Sequence, residues 1–464
     1  MDKKSKKTIS RQKKILITAV SAVLVIACAV FLWNPSSSSS SYMILEGHKS
    51  GVKKTSSDTY TIGVSQMSSS IHPYAQDNQA TDVLRRLVYR PLLVIREDQS
   101  ISYMLAKEVS ICRQGTQIDI VLKEGNTFSD GAEVTAQSVK ESYEWHQNPA
   151  SQSSFASQTA NIKDIQVRDQ THLTMTLNKA VLRLPELFTI PLMHCVPSEG
   201  ANGETFAGCG SYKISELIPL SDMTLVPVSN QTKSYDEIHI SVMNYENFDE
   251  IVKNQSTDMF MIGKEGYMEK LKESKAYDVY AMQEQEGMYL VFQDSDVVKD
   301  VAIRRFLAGM IATSQAVKNE ERLPAQGIIS ARKKGTAYSD TSSKKEAAVK
   351  ELRLQYPPST HSRSIAEQIQ KQLQEHNIKV TAEEYNADTA GTADACLYTG
   401  TYSELLEAKD MNPFYRSLED QMDIRDYDDR LESWLYEQSW FVPIDRQTTW
   451  TAALHGRDTL AMFE

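Results

Sequence analysis

The feature that most constrains this chain is an uncharged apolar run close to its N-terminus. Residues 15–33 carry no charged side chain, and seven lysines and arginines precede them. At about 1.5 Å per helical residue the run spans roughly 28 Å, close to the hydrocarbon thickness of a bilayer. The positive-inside rule keeps the basic flank in the cytoplasm. We therefore expect a membrane helix that anchors a body on the extracytoplasmic side.

Cys28 offers a second way to anchor the chain. Residues 25–28, Val-Ile-Ala-Cys, are similar to a bacterial lipobox, in which the chain is cleaved before a cysteine that becomes lipidated. Five apolar residues follow Cys28, which is unusual for a lipobox, so an uncleaved helix is the other reading. No small-residue cleavage site ends the run, which disfavours an ordinary secretory signal. A Ser-rich linker should continue from residue 34 to residue 58.

Charge and cysteine content exclude several classes of protein. The first 33 residues contribute +6 to the net charge of −11, so the remainder carries −17. Such a body repels nucleic acid, whose phosphates are bound by Lys and Arg. The five cysteines form no zinc-type spacing, so neither a metal site nor a cofactor is expected. A disulfide between Cys195 and Cys209 is allowed outside the cytoplasm, and free buried thiols are the alternative.

The sequence lacks the common catalytic motifs. It contains neither Gly-x-Ser-x-Gly nor His-Glu-x-x-His, and none of its nine histidines lies in a recognisable nucleophile or metal motif. The 61 acidic residues leave a glycosidase-like carboxylate pair as the open alternative. We therefore expect a binding protein that is not an enzyme, and we name no catalytic residue.

Hydrophobic periodicity predicts alternating strands and helices. Apolar residues at every second position predict strands at 60–64 and 118–122 and a hairpin over 165–177. Residues 303–311 have the spacing of an amphipathic helix. A strand, helix and strand pattern over 352–382 predicts a βαβ unit, and therefore parallel strands near the C-terminus.

Several motifs resemble one protein family. Residues 121–139, VLKEGNTFSDGAEVTAQSV, are similar to a signature of the large solute-binding proteins of peptide and nickel ABC importers. Weaker matches occur in the family's order at Ile71-His72-Pro73, Tyr89-Arg90-Pro91-Leu92, Gly208 to Tyr212, Tyr289 to Gln293, Asp300 to Phe306 and Phe441 to Ile444. The chain thus resembles the peptide/nickel-type, family 5, extracytoplasmic solute-binding proteins over most of residues 59–464.

The resemblance implies a mixed α/β, periplasmic-binding-protein-like fold. Two lobes would close over a ligand about a hinge, with a small α+β domain inserted into the first lobe. The expected division is a cytoplasmic basic segment at 1–14, an anchor at 15–33, a linker at 34–58, lobe I at 59–93 with 190–275 and 440–464, the inserted domain at 94–189, and lobe II at 276–439.

The resemblance also implies where a ligand would bind. A peptide held between the lobes needs a carboxylate for its charged amino terminus, because an unpaired buried charge is costly. Family members supply an aspartate from a late segment, where this chain offers only Glu404 or Asp410. We name Asp77 and Glu404 as candidate carboxylates. Candidate wall residues combine flat apolar area with a polar tip: Tyr74, Asn78, Tyr398, Thr399, Thr401 and Tyr402.

The expected function is the capture of an oligopeptide or similar small solute and its delivery to the permease subunits of an ABC importer. The alternative is a membrane-tethered ligand sensor or interaction module that has the same fold and no transport role. The anchor that looks uncleaved and the short segment between residues 393 and 433 favour that alternative.

Overall fold

The body of the chain is described in a computed structural model. The described residues are 59–68, 74, 78–96, 100–200, 203–229, 235–262, 265–311, 322–325, 327–329, 349–385, 392–407, 409–455 and 457. The predicted anchor at 15–33, with Cys28, and the linker to residue 58 lie outside them. Within the described ranges, no helix combines the length and apolarity needed to cross a membrane.

Strands and short helices alternate along the described chain. The strands are β1 (Thr59–Val64), β2 (Leu93–Ile95), β3 (Ile101–Tyr103), β4 (Ala106–Cys112), β5 (Gln117–Leu122), β6 (Ile162–Val167), β7 (His172–Leu177), β8 (Met193–Gly200), β9 (Gly203–Gly208), β10 (Tyr212–Ile218), β11 (Asp222–Pro227), β12 (Glu237–Val242), β13 (Met259–Ile262), β14 (Tyr277–Phe292), β15 (Arg322–Pro324), β16 (Glu351–Tyr356), β17 (Lys379–Glu384), β18 (Ala395–Gly400), β19 (Met422–Asp423) and β20 (Phe441–Leu454). The helices are α1 (Gln79–Leu87), α2 (Ala136–Gln147), α3 (Ala156–Thr159), α4 (Phe248–Asn254), α5 (Glu265–Ser274), α6 (Val301–Met310), α7 (Thr360–Glu375), α8 (Tyr402–Leu406), α9 (Asn412–Arg416) and α10 (Tyr427–Gln438).

Most of these strands form a large mixed sheet and a smaller antiparallel one, and β2 with β3 and β8 with β9 form two-stranded sheets. In the described residues the large sheet has the order β10-β11-β12-β1-β13-β20-β14-β18-β16-β17, with β15 also paired to β20. The smaller sheet has the order β19-β4-β5-β7-β6. The predicted strands at 60–64 and 118–122, the hairpin over 165–177, and the helix near 303–311 are confirmed. The predicted βαβ unit over 352–382 is also confirmed, with β16 and β17 parallel.

Two long strands join the halves of the large sheet. β14 and β20 pair antiparallel from Tyr277 opposite Leu454 to Val291 opposite Phe441. At one end β20 pairs with β13, and at the other end β14 pairs with β18. In the described part of the chain, strand pairing between the two sides of the large sheet runs through this ribbon.

The ribbon changes register at its middle. The pairing shifts between Gln283 and Gly287. A Cβ atom on Gly287 would collide with the carbonyl oxygen of Asp445 on β20. Glycine at this position therefore lets the two backbones approach closely where the register changes, as is typical of glycine at irregular points of strands.

Side chains of β14 alternate between two hydrophobic cores. Met288 and Leu290 lie in one core with the apolar faces of α6 and α7. Tyr289 and Val291 point the other way, into the core that also contains the smaller sheet. This period of two is that of a strand buried on both faces.

The sequence stretch that carries the strongest motif folds as strand, turn and helix. β5 ends at Leu122, Phe128 is buried, and Thr135 forms a capping box at the start of α2. The backbone N–H of Ser129 donates to the carbonyl oxygen of Gly208 at 2.8 Å, which fastens the turn to β9. The motif therefore fastens the smaller sheet to the hairpin of β8 and β9.

Gly210 provides a test of this packing. A Cβ atom on Gly210 would lie 2.5 Å from the carbonyl carbon of Val88, which is rigid backbone after α1. Substitution G210A should therefore lower the free energy of unfolding by about 1–3 kcal/mol, as overpacking does in other cores. Urea unfolding measures the change.

A matched control is G63A. Its Cβ atom would meet the Met243 side chain at 2.7 Å, and that side chain can move aside. A loss of stability in G63A that equals the loss in G210A would contradict the importance of the backbone contact at Val88.

Candidate functional site

A small hydrogen-bonded network lies at the carboxyl end of β18. The strand ends at Gly400, and Thr401 then caps α8 in a capping box. The Oε2 atom of Glu404 accepts from the backbone N–H of Thr401 at 2.9 Å and from the hydroxyl of Tyr398 at 2.9 Å. A Cβ atom on Gly400 would collide with this carboxylate. The structure thus brings together three of the predicted ligand residues, Tyr398, Thr401 and Glu404.

The two other predicted residues of this segment point in different directions. Thr399 is exposed and pairs with Met288 across β18 and β14. Tyr402 is buried, and burial raises the pKa of its hydroxyl well above the ordinary value, with a further rise from Asp428. Tyr402 therefore keeps its proton and lies beneath the network, while Thr399 lies on the surface of the sheet.

An ion pair from the turn after β7 faces this network. Arg183 donates from Nε to Oε1 of Glu186 at 2.5 Å, and Glu186 is buried. Burial alone would lower the pKa of Arg183, but the negative charge of Glu186, and then Tyr402 and Glu404, raise it. The positive charge of Arg183 therefore lies within electrostatic range of Glu404.

Glu286 on β14 adds a second carboxylate. It is half-buried and accepts from Nε2 of Gln447 on β20 at 3.0 Å. Burial raises its pKa, Arg322 lowers it, and the negative charge of Glu404 raises it again. The negative charge of Glu404 therefore disfavours the ionisation of Glu286.

A buried arginine on β20 closes the floor of the site. The guanidinium of Arg446 lies 5.0 Å from the centre of the Tyr289 ring and donates to the carbonyl oxygens of Gly327 and Ile328. The backbone N–H of Ile328 donates in turn to Oε1 of buried Glu432 at 2.9 Å. These contacts fasten a short loop and α10 onto the ribbon of β14 and β20.

Asp445, beside Arg446, is the most deeply buried carboxylate of the ribbon. It accepts from Nε of Arg322 at 2.7 Å, and Nε2 of His361 lies 2.7 Å from its other oxygen. Burial alone would raise the pKa of Asp445, but the hydrogen bonds and charges of His361 and Arg322 lower it overall. Asp445 therefore stays ionised and holds β15 and α7 against β20.

The predicted residues of the first loop are placed elsewhere. Tyr74 has no exposed surface, packs within an aromatic cluster, and donates to the carbonyl oxygen of Pro191 at 2.7 Å. Asn78 caps α1, where its Oδ1 accepts from the backbone N–H of Thr81 at 3.0 Å. In this structure both residues stabilise local structure, in contrast to the ligand-wall role predicted for them. Asp77 lies outside the described residues.

The cysteines of the described chain are free. Cys195 is half-buried and Cys209 is buried, and no disulfide joins them. Burial raises the pKa of Cys195 to about 12 and that of Cys209 to about 11. The structure therefore shows the alternative of free thiols in place of the allowed disulfide.

Sequence reasoning missed Arg183, Glu186, Glu286 and Arg446. None belongs to a recognisable motif. The signal that could have found two of them is a charge inside an apolar run, as in Val181-Leu-Arg-Leu-Pro-Glu-Leu-Phe188. Buried charges of this kind are rare unless they are paired.

The architecture matches solved periplasmic binding proteins. The periplasmic murein tripeptide binding protein MppA, in its unliganded open form, gives a TM-score of 0.68 at 15% identity, over 88% of this chain and 95% of that chain. A nickel ABC transporter protein from Bacillus halodurans gives 0.64 at 15% identity, over 87% and 98%. An ABC transporter substrate-binding protein from Sinorhizobium meliloti gives 0.61 at 15% identity, over 88% and 98%. The fold is therefore that of the substrate-binding proteins of ABC transporters.

The sequence itself identifies the family. The family model described as bacterial extracellular solute-binding proteins, family 5 middle, matches residues 100–420. The chain belongs to this family, whose members are substrate-binding proteins rather than enzymes and work outside the cytoplasm. Among curated proteins none matches the chain significantly.

The buried ion pairs of Asp445 predict a pH-dependent stability. Folding lowers the pKa of Asp445, so its ionised carboxylate stabilises the folded state fully above the pKa of an unfolded aspartate, about 4. This stabilisation is lost as the pH falls through the lower pKa of the folded state. D445N removes the buried carboxylate that pairs with half-buried Arg322 and His361, which should lower the free energy of unfolding by about 3–5 kcal/mol at pH 7. The difference from the native chain should shrink below about pH 4.

The control is Asp296, an exposed carboxylate whose pKa is lowered by its hydrogen bond to Lys299. D296N should change stability little at any pH, since exposed ion pairs contribute little. Urea unfolding of both variants from pH 3 to pH 8 gives the comparison. A stability gap for D445N that stays constant below pH 4 would rule out the ionised carboxylate as its source.

Proposed function

We propose that this protein is a membrane-anchored extracytoplasmic solute-binding protein that captures an oligopeptide, or a similar small solute with a cationic amino group, and delivers it to an ABC importer. Family membership supports the general role. The substrate class rests on the site at the end of β18, where the negative charge of Glu404 acts on the carboxylate of Glu286.

The observation that carries the proposal is the orientation of Glu404. Among the described residues, both hydrogen bonds to its carboxylate reach Oε2, from Thr401 and Tyr398. The capping box therefore fixes the carboxylate and leaves Oε1 to accept from a ligand. A protonated α-amino group is a suitable donor, because a charge-assisted hydrogen bond is shorter and stronger than a neutral one.

An acidic group of the ligand has a candidate partner in Arg183. Arg183 lies within electrostatic range of Glu404 from the turn after β7. A short zwitterionic peptide that presents its amino group to Glu404 can direct an acidic group toward Arg183. The relative MppA is described as a binding protein for a murein tripeptide, which is a ligand of this kind.

Closure of two lobes would trap the solute. We assign lobe I to residues 59–93, 190–275 and 440–464, the inserted domain to 94–189 and lobe II to 276–439. The ribbon of β14 and β20 then joins the two lobes, because β14 lies in lobe II and β20 in lobe I. Hinge closure around a ligand excludes water and strengthens every polar contact made to it.

The anchor is part of the proposal. Residues 15–33 hold the protein at the membrane as an uncleaved helix, or Cys28 does so after cleavage and lipidation. Either form keeps the body beside the permease subunits of the importer and raises the local concentration of the binding protein there.

Glu404 can be tested without disturbing the helix that it caps. Glutamine at the third helical position also serves a capping box, so E404Q keeps α8 and removes the charge. Purified protein is incubated with a defined mixture of short peptides that have free or acetylated amino termini, and mass spectrometry identifies what is retained. We expect retention of the free-amine peptides and a loss of affinity of at least tenfold in E404Q, about 1.4 kcal/mol.

The matched control is E407Q, since Glu407 is exposed at the end of the same helix. It should bind as the native chain does. Equal retention of acetylated and free peptides, or unchanged binding by E404Q, would refute recognition of an amino group by this carboxylate. Retention of no peptide by the native chain would refute peptide capture itself.

A further inference from the structure

β13 and β18 run toward each other from the two ends of the ribbon formed by β14 and β20. β13 pairs antiparallel with β20 and ends at Ile262, which lies opposite Trp450. β18 pairs antiparallel with β14 and ends at Gly400, which lies opposite Gly287. Because β14 and β20 are themselves antiparallel, the carboxyl ends of β13 and β18 point toward each other. Ligands of open α/β sheets bind outside the carboxyl ends of strands, so we expect the solute in the space between these two ends, which we call the gap.

Glu286 lies at the gap, just beyond the end of β18. In the described part of the chain the pairing of β14 with β18 stops at Gly287, and Glu286 is the next residue toward the gap. Gly287 also lies opposite Arg446 of β20, so Glu286 belongs to the stretch of ribbon between the two strand ends. The side chain of Glu286 is half-buried. Its carboxylate is therefore partly removed from water at the place where β18 delivers Glu404.

The carboxylate of Glu286 has no cation of its own in the described part of the chain. Its Oε1 accepts from Nε2 of Gln447 at 3.0 Å, and this amide is neutral. Burial raises the pKa of Glu286, Arg322 lowers it, and Glu404 raises it. The guanidinium of Arg322, however, donates to Asp445 at 2.7 Å and forms its ion pair there. The ionised form of Glu286 is therefore incompletely compensated, since a desolvated charge needs a close partner of opposite sign.

We infer that Glu286 is a specificity-determining residue that pairs with a cationic side chain on the first residue of the captured peptide. The inference rests on the proposed function, in which Glu404 binds the amino group of that same residue. A lysine side chain carries its charge on a flexible stem and can reach a second carboxylate beside the first. The solute thereby supplies the counter-charge that Glu286 lacks among the described residues, in a place where partial desolvation strengthens the pair.

A purely structural role of Glu286 makes a different prediction. If the carboxylate serves only to bind Gln447, its charge has no bearing on the choice of solute. An amide oxygen also accepts a hydrogen bond. E286Q therefore keeps an acceptor for Gln447 and removes the negative charge, which separates the two roles.

Matched tripeptides test the effect of the side-chain charge. The peptides are Lys-Ala-Ala and its norleucine counterpart, whose side chain is neutral and of similar length, each with a free or an acetylated amino terminus. Isothermal titration calorimetry with the full chain in detergent gives each Kd. We expect the native chain to bind free Lys-Ala-Ala about tenfold or more tightly than the free norleucine peptide. E286Q should abolish this difference and bind the norleucine peptide as the native chain does.

The matched control is D278N. Asp278 is an exposed carboxylate on the same strand, where it contacts His455 and lies opposite Ala453 at the far end of the ribbon. D278N should keep the preference for lysine. Equal affinity of the native chain for the lysine and norleucine peptides would overturn the role of Glu286. So would a preference that survives in E286Q, and a loss of stability of that variant in urea would then assign Glu286 to the structural role.

The same measurements keep the two proposals apart. E404Q should weaken the free lysine and norleucine peptides by the same factor, because it acts on the amino group that both share. Equal binding of these two peptides by the native chain contradicts only the role of Glu286. If acetylation leaves the affinities and the lysine preference unchanged, only the recognition of the amino group by Glu404 is contradicted. Binding of none of the peptides refutes both proposals.

Discussion

The antiparallel pairing of β14 with β20 is the constraint on which the rest of the structure depends. It is the ribbon that connects β13 on one side of the large sheet with β18 on the other. Gly287 lets its two backbones approach, and Asp445 fastens β15 and α7 to it through Arg322 and His361. Successive side chains of β14 point alternately into two hydrophobic cores. A shift of register by one residue would therefore turn each side chain toward the opposite core.

The candidate site is a consequence of this ribbon. Glu286 and Arg446 lie on the two paired strands, and their neighbour β18 delivers Glu404 to the same place. Charges gathered there act in a medium of low effective dielectric, where each interacts more strongly than it would in water. Arg183 reaches the same network from a turn more than 200 residues earlier in the chain.

Local features of the fold could be predicted from the sequence, and distant contacts could not. The alternation in β1, the hairpin of β6 and β7 and the βαβ unit of β16, α7 and β17 follow from periodicity, which is a property of neighbouring residues. Tyr398, Thr401 and Glu404 could be grouped because they lie within seven residues of one another. Tyr74 looked like a wall residue of the binding site. An aromatic ring with a polar tip suits a core equally well when the hydroxyl has a hydrogen-bond acceptor, which here is the carbonyl oxygen of Pro191. Glu286 gave no local signal, and the charge of Arg183 inside an apolar run does not reveal that Glu404 is its neighbour.

The most direct test of the account is a crystal structure of the protein purified together with the solute that it retains. The account predicts density for a small molecule enclosed between the two halves of the large sheet, with an amino nitrogen within hydrogen-bond distance of Oε1 of Glu404. Density for a solute elsewhere on the surface, or a Glu404 carboxylate sealed from every cavity in the liganded protein, would contradict it.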